Sequence, residues 1–281
     1  MKAFPKCLPR LRVFTRETRA GKFRAGPGLA GFVIVGLSLS LSFAGAPLLQ
    51  AAASGINMAE RLRPPSAEHW FGTDTLGRDL LARVLAGGRV SLGLGFSAGF
   101  FSTVLALLIG LYGGVNRILE VSLLGLCDAI RSIPALLLAI ALMTALGGGG
   151  IRLLIVLSLC STPVMARLVR SAVLVVREQP YVQAAWLRGA GPGRILFCHI
   201  LPNILPPLFV QFRFTCAQTM LIEAALSFLG AGIPPPQPSW GNILQEGQTV
   251  MFSAPWMILF PGLCMALTIL GINLMAGDPR R

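Results

Sequence analysis

The 281-residue chain is 54% hydrophobic and only 12% charged, against roughly 25% charge in a soluble domain, which points to a polytopic membrane protein rather than a globular one. Its net charge of +13 fits that reading, because Lys and Arg gather on the cytoplasmic flanks of spans, and no basic stripe interleaved with aromatics argues for nucleic acid. Lys2, Lys6 and Lys22 are the only lysines, so no G-x-x-x-x-G-K-[ST] phosphate loop exists and any ATP the protein uses is bound by another chain.

Residues 1–28 carry eight bases against one acid and precede an apolar run at 29–49 that is long enough to cross a bilayer. A signal peptide would also read Ala44-Gly45-Ala46 as a small-residue cleavage site, but the full-length run favours a signal anchor at 29–50 with the N-terminus in the cytoplasm. Residues 51–89 mix five Arg with four acids and form an external loop. Asp74 is expected to cap a helix whose apolar positions, Leu76, Leu80, Leu81, Val84 and Leu85, lie in the outer interface beside the headgroup anchor Trp70.

The second span is read over 90–112. Ser91, Gly95 and Gly99 recur every four residues there and form a small-residue ridge for close helix packing. The same stretch matches G-x-S-x-G, but it sits mid-helix, without the strand-to-helix turn or the nearby His that a serine hydrolase needs. A short inside turn at 112–117 leads to a third span over 118–146, which carries Glu120, Asp128 and Arg131 and has Pro134 in its middle. Asp128 and Arg131 are three apart and are expected to share a face and partly neutralise each other; intramembrane charges are also candidates for a translocation path.

The fourth span is read over 152–176, with Arg167, Arg170 and Arg177 snorkelling toward the cytoplasm. The polar, Arg-bearing stretch 180–203 follows and is therefore cytoplasmic. Its Ala184 and Ala185 favour a short helix, which Gly189 and Gly191-Pro192 end. The fifth span, 204–228, holds Arg213 near its centre and Glu223 toward its outer end, about 15 Å apart along a helix and so unpaired with each other. An outer loop at 230–250 with a stiff Pro234–Pro238 run leads to a sixth span at 255–275. The fold expected is all-α, with six transmembrane helices and both termini cytoplasmic. Cys7, Cys127, Cys160, Cys198, Cys216 and Cys264 are scattered without C-x-x-C spacing and read as small buried hydrophobes, not as disulfides or metal ligands.

Several of these segments carry a family resemblance. Gln183-Ala184-Ala185, then Gly189, then Ile200-Leu201-Pro202 is similar to the E-A-A…G…I-L-P loop of binding-protein-dependent ABC importer permeases. Phe71-Gly72-Thr73-Asp74 with Gly77-Arg78-Asp79, Glu223-Ala224 with Ser227-Phe228-Leu229-Gly230, and Pro238-Ser239-Trp240-Gly241-Asn242 resemble the dipeptide/oligopeptide/nickel branch of that family. The resemblance covers about 29–275 and departs at Gln183, which stands where the motif has an acid, at Arg213, and at the short C-terminus.

The resemblance implies an ABC importer permease fold with a core at 90–276 and a coupling loop at 177–203, in a bacterial inner membrane. The chain would be the non-catalytic half of a translocation path for peptides, nickel or a nickel chelate. It would work with a second homologous permease subunit, with ATPase subunits that hold ATP and Mg on the cytoplasmic face, and with an external substrate-binding protein. Gln183, Ala184, Ala185, Gly189, Ile200, Leu201 and Pro202 would couple to the ATPase; no cofactor or metal belongs to this chain. A stand-alone channel or ion-coupled transporter using Arg213, Glu223 and Asp128 is the alternative, although no inverted repeat supports it.

Overall fold

A computed structural model describes residues 25–112 and 117–275. The basic segment up to residue 24, the turn at 113–116 and the tail at 276–281, all assigned to the cytoplasm from the sequence, lie outside the described residues. Among the described residues five helices are long and apolar enough to cross a membrane, or six if one bent pair is a single span.

The first span is α1 (Ala25–Ser40), which runs on through a wide π turn at Leu41–Gly45. It crosses the last helix, α9 (Trp256–Leu274), through facing glycines. A Cβ on Gly31 would lie 2.6 Å from the Gly271 carbonyl oxygen, and one on Gly271 would meet Ile34 at 2.9 Å. Backbones this close gain dispersion contacts that lipid cannot replace.

The second long helix, α2, spans Leu80–Tyr112 without a break, 33 residues and about 50 Å. This corrects the expectation of an interfacial helix followed by a separate span at 90–112. Gly87 and Gly88 look like a break, but they are contact points: their Cβ atoms would press on Ser239 and Trp240, and on Ser42. Asp74 does not cap this helix; Asp79 does, accepting from Ala82 N at 2.8 Å.

The expected helix at 118–146 is broken. α3 (Arg117–Arg131) and α4 (Ala135–Leu146) meet at 95°. Pro134 lacks an N–H and pushes the residue before it out of the α region, so the helix stops and restarts. The expected Asp128–Arg131 pair does not form. Asp128 accepts from Arg167 Nε at 2.8 Å, and Glu120 accepts from Arg170 Nε at 2.5 Å, so both acids tie α3 to α5 (Gly150–Arg177). Arg131 is exposed and pairs with no carboxylate among the described residues.

The most buried of the long helices is α5, which packs Leu153, Val156, Leu157, Met165 and Val169 against α2 and its neighbours. The surface helix α6 (Pro180–Leu187) follows. The next span starts at Pro192, not at 204: Pro192–Ile195, a π turn at Leu196–Ile200 and α7 (Leu201–Phe228) form one 37-residue span. Ile200, Leu201 and Pro202 therefore lie inside a helix. The π widening sits just before Pro202, where the missing N–H and the ring would disturb a regular ladder.

The loop expected at 230–250 contains a further helix, α8 (Trp240–Gln248), capped by Ser239 Oγ accepting from Asn242 N at 3.2 Å. Cys127, Cys160, Cys216 and Cys264 are free, whereas Cys198 is disulfide-bonded; scattered spacing could not reveal that exception.

Candidate functional site

Two regions collect the polar and motif residues, one at the α6 end of the bundle and one at the α8 end. At the α6 end, Pro180 occupies the first helical turn, where no N–H is needed. Val182 is fully buried in a cluster with Val173, Val176, Ile195 and Ile200. The helix ends in a Schellman arrangement. Gly189 takes φ +77°, its N–H donates to the Trp186 carbonyl at 2.9 Å, and Ala190 N donates to the Ala185 carbonyl at 3.1 Å. A Cβ on Gly189 would meet nothing within 4 Å, so glycine is needed there for backbone conformation and not for room.

Ala185 is 4% exposed and turns into the chain, so it offers no surface to a partner. The outward face is made of Gln183, Ala184, Trp186, Leu187 and Arg188. Leu187 is 90% exposed at the tip, and Trp186 walls an apolar cavity of about 410 Å³ with Val173, Ile195 and Ile200. Sequence reasoning missed Trp186 and Leu187. Once Val182 and Ala185 are taken as one face of an eight-residue helix, the helical repeat puts Leu187 on the other.

The candidate path residues are not brought together. Arg213 donates through Nη1 to the Met275 carbonyl just past α9, while its buried Nε has no hydrogen-bond partner among the described residues. Because its span begins at Pro192, Arg213 sits level with the end of α9, where a cation complements the helix dipole. Glu223 is fully buried and accepts from Ser91 Oγ at 2.9 Å and Ser227 Oγ at 2.8 Å. Gly95 and Gly99 lie against Met220 and Cys216 of α7, and Thr219 Oγ1 donates to the Gly95 carbonyl at 3.0 Å. No group of three or more His, Cys, Asp or Glu side chains that could hold a metal occurs among the described residues.

The α8 end is built on ion pairs that join residues far apart in sequence. Arg83 is buried and donates to Asp74 Oδ2 at 2.6 Å and to Glu246 Oε1 at 2.8 Å. Arg78 donates from Nε to Asp74 at 2.6 Å and from Nη2 to Glu246 at 3.3 Å. Asp74 also accepts from the N–H groups of Leu76 and Arg78. Trp240 Nε1 donates to the Val84 carbonyl at 2.9 Å, docking α8 on α2.

Beside this cluster His69 lies 2.8 Å from Asp79 Oδ2 and 3.4 Å from Glu60 Oε2. The hydrogen bond to Asp79 raises the imidazole above its ordinary 6.5, against the opposing effect of burial, and Glu60 adds to the rise. A raised folded-state value means the contribution to stability is full below the ordinary histidine range and is lost as pH climbs through the raised value. The melting temperature is expected to fall across that window, and His69→Gln should flatten the fall. An unchanged pH slope in His69→Gln would remove this pairing from the account.

Comparison with known proteins places this geometry. The family model described as "Binding-protein-dependent transport system inner membrane component" matches residues 102–277. The dipeptide transport system permease protein DppC of Alkalihalophilus pseudofirmus is 42% identical over 257 residues, covering 88% of this chain and 83% of that protein. The glutathione transport system permease protein GsiD of Pectobacterium atrosepticum is 39% identical, covering 77% of this chain and 72% of that one. The fold is similar to that of the inward-facing methionine ABC transporter MetNI, with a TM-score of 0.56 and 24% identity over 70% of this chain and 94% of the other.

Proposed function

The chain belongs to the family of binding-protein-dependent transport system inner membrane components, and from that premise we propose that it is one of two transmembrane subunits of an ATP-driven importer of short peptides. The peptide names of relatives at 42% and 39% identity support this substrate class over nickel. The chain supplies half of the path, and ATP is hydrolysed on separate subunits. Its Arg-rich 167–194 stretch supports a cytoplasmic α6 end, with both termini on that side and the α8 end turned toward an external binding protein.

The observation that carries the coupling role is the rigid outward edge of α6. A helix capped by Gly189, seated on Val182 and Ala185, presents Leu187 at 90% exposure. A buried base with an apolar tip suits a socket on an ATPase, whose closure would bias the long helices between two states. Gln183 donates to the Glu178 carbonyl at 3.2 Å, so α6 is braced by hydrogen bonding where the motif has an acid.

Leu187→Asp is expected to cut retention of the ATPase by tenfold or more while leaving the melting temperature within about a degree, since the side chain is solvated before docking. Ala185→Asp should instead unfold the loop, because it buries a charge. Wild-type ATPase retention and peptide uptake by Leu187→Asp would refute docking through this edge. Peptide transport by the chain alone in liposomes without ATP would refute the importer reading as a whole.

A further inference from the structure

At the external end a cavity of about 770 Å³ opens between α4, the 229–237 turn and α8, within the usual size range of small-molecule sites. Arg78, Arg83 and Glu246 line one side, Gln245 lies beside them, and Ile140 and Met143 supply an apolar wall. Two guanidiniums face two carboxylates here, so the cluster is neutral as it stands. A lone anion or cation entering it would leave net charge in a poorly solvated place, whereas a ligand with one charge of each sign would not.

The available donors and acceptors match such a ligand. Arg78 uses Nε and Nη2 on Asp74 and Glu246, and its Nη1 makes no hydrogen bond among the described residues. Glu246 keeps 32% of its side chain exposed, and the exposed Gln245 amide has no hydrogen-bond partner among the described residues. We propose that this cavity is a binding site for the zwitterionic backbone of a short peptide, with the terminal carboxylate on Arg78, the terminal ammonium on Glu246 and a peptide carbonyl on Gln245. The proposal rests on the importer reading and adds to it a substrate contact on this subunit, separate from the external binding protein.

The test uses the complex of this chain with its partner permease and ATPase, without the binding protein, titrated with dialanine, N-acetyl-dialanine and dialanine amide while the melting temperature is followed. Free dialanine should give a saturable shift, and blocking either terminus should weaken binding by about tenfold, the loss of one charge-assisted hydrogen bond. Arg78→Gln should erase the difference between dialanine and its amide but keep the penalty for N-acetylation; Glu246→Gln should do the reverse, and Arg78→Lys should restore most of the first. Equal shifts from all three ligands on the wild type, or none, would overturn the site whatever the variants do. Dialanine uptake by the wild-type transporter with no shift here would overturn the site alone and leave the importer standing. No uptake of any peptide would overturn the importer reading beneath it.

Discussion

Arg83→Met is expected to destabilise the folded chain by about 3 kcal/mol, because it leaves the buried Asp74 and the partly exposed Glu246 with one cation fewer between them. Asp74 is 0% exposed and Arg83 is 2% exposed, so water cannot take over the lost hydrogen bonds. Arg78 still reaches both acids, and the N–H groups of Leu76 and Arg78 still serve Asp74, which keeps the cost at the lower end for a broken buried pair. The sign of the second mutation is diagnostic. Adding Glu246→Leu to Arg83→Met removes the orphaned charge and should recover part of the loss, whereas two independent sites would simply add. Denaturant midpoints of the two single variants and the double variant in detergent measure this. A single Arg83→Met within about 0.5 kcal/mol of wild type would mean that the cluster contributes nothing to holding α8 on α2.

Gly241→Val should be comparably damaging for a steric reason. A Cβ at Gly241 would fall 2.6 Å from Ser227 Cβ, 2.7 Å from the Ala224 carbonyl oxygen and 2.8 Å from Ala224 Cα. Two of those neighbours are α7 backbone and cannot turn aside, so α8 must lift. Lifting it pulls on Trp240, which is bonded to the Val84 carbonyl and to Ser91, and on Asn242, which is bonded to the Ile233 carbonyl at 2.9 Å. Overpacking of this kind costs about 1–3 kcal/mol, and more where docked hydrogen bonds go with it. Gly193→Ala is the matched control: its Cβ would meet nothing within 4 Å, and it should be neutral. A Gly241→Val protein that melts with wild type would show that α8 is not seated as described.

The spans were legible because their signal is local. A run of apolar residues long enough to cross a bilayer is stable wherever it sits, and positions such as 29–49 and 255–275 needed no partner to be recognised. The polar stretch after Arg177 was legible for the same reason, as were its short helix and the glycine that ends it. Helix boundaries were harder. An interfacial helix and a separate span from 90 were expected from sequence, yet the helix runs straight through, and Gly87 and Gly88 serve as the surface on which Trp240 and Ser42 rest. One helix was expected to run through Pro134, but the chain turns 95° there, and α3 is held separately by the pairs of Asp128 and Glu120 with α5. α8 was hidden in a loop, since nine residues are too few to hold a helix by themselves and this one gains its stability by burying Trp240 and Ile243 against its neighbours.

By itself, then, the sequence determined a bundle of apolar spans and a basic-flanked polar loop carrying a short glycine-ended helix. Only the tertiary structure decided that Ala185 faces inward and Leu187 outward, that Asp128 pairs with Arg167 and not with Arg131, and that Arg83 joins Asp74 to Glu246. The physical reason is range. Hydropathy and capping act within a few residues, whereas a salt bridge spanning 163 positions exists only once the helices that carry its ends have packed.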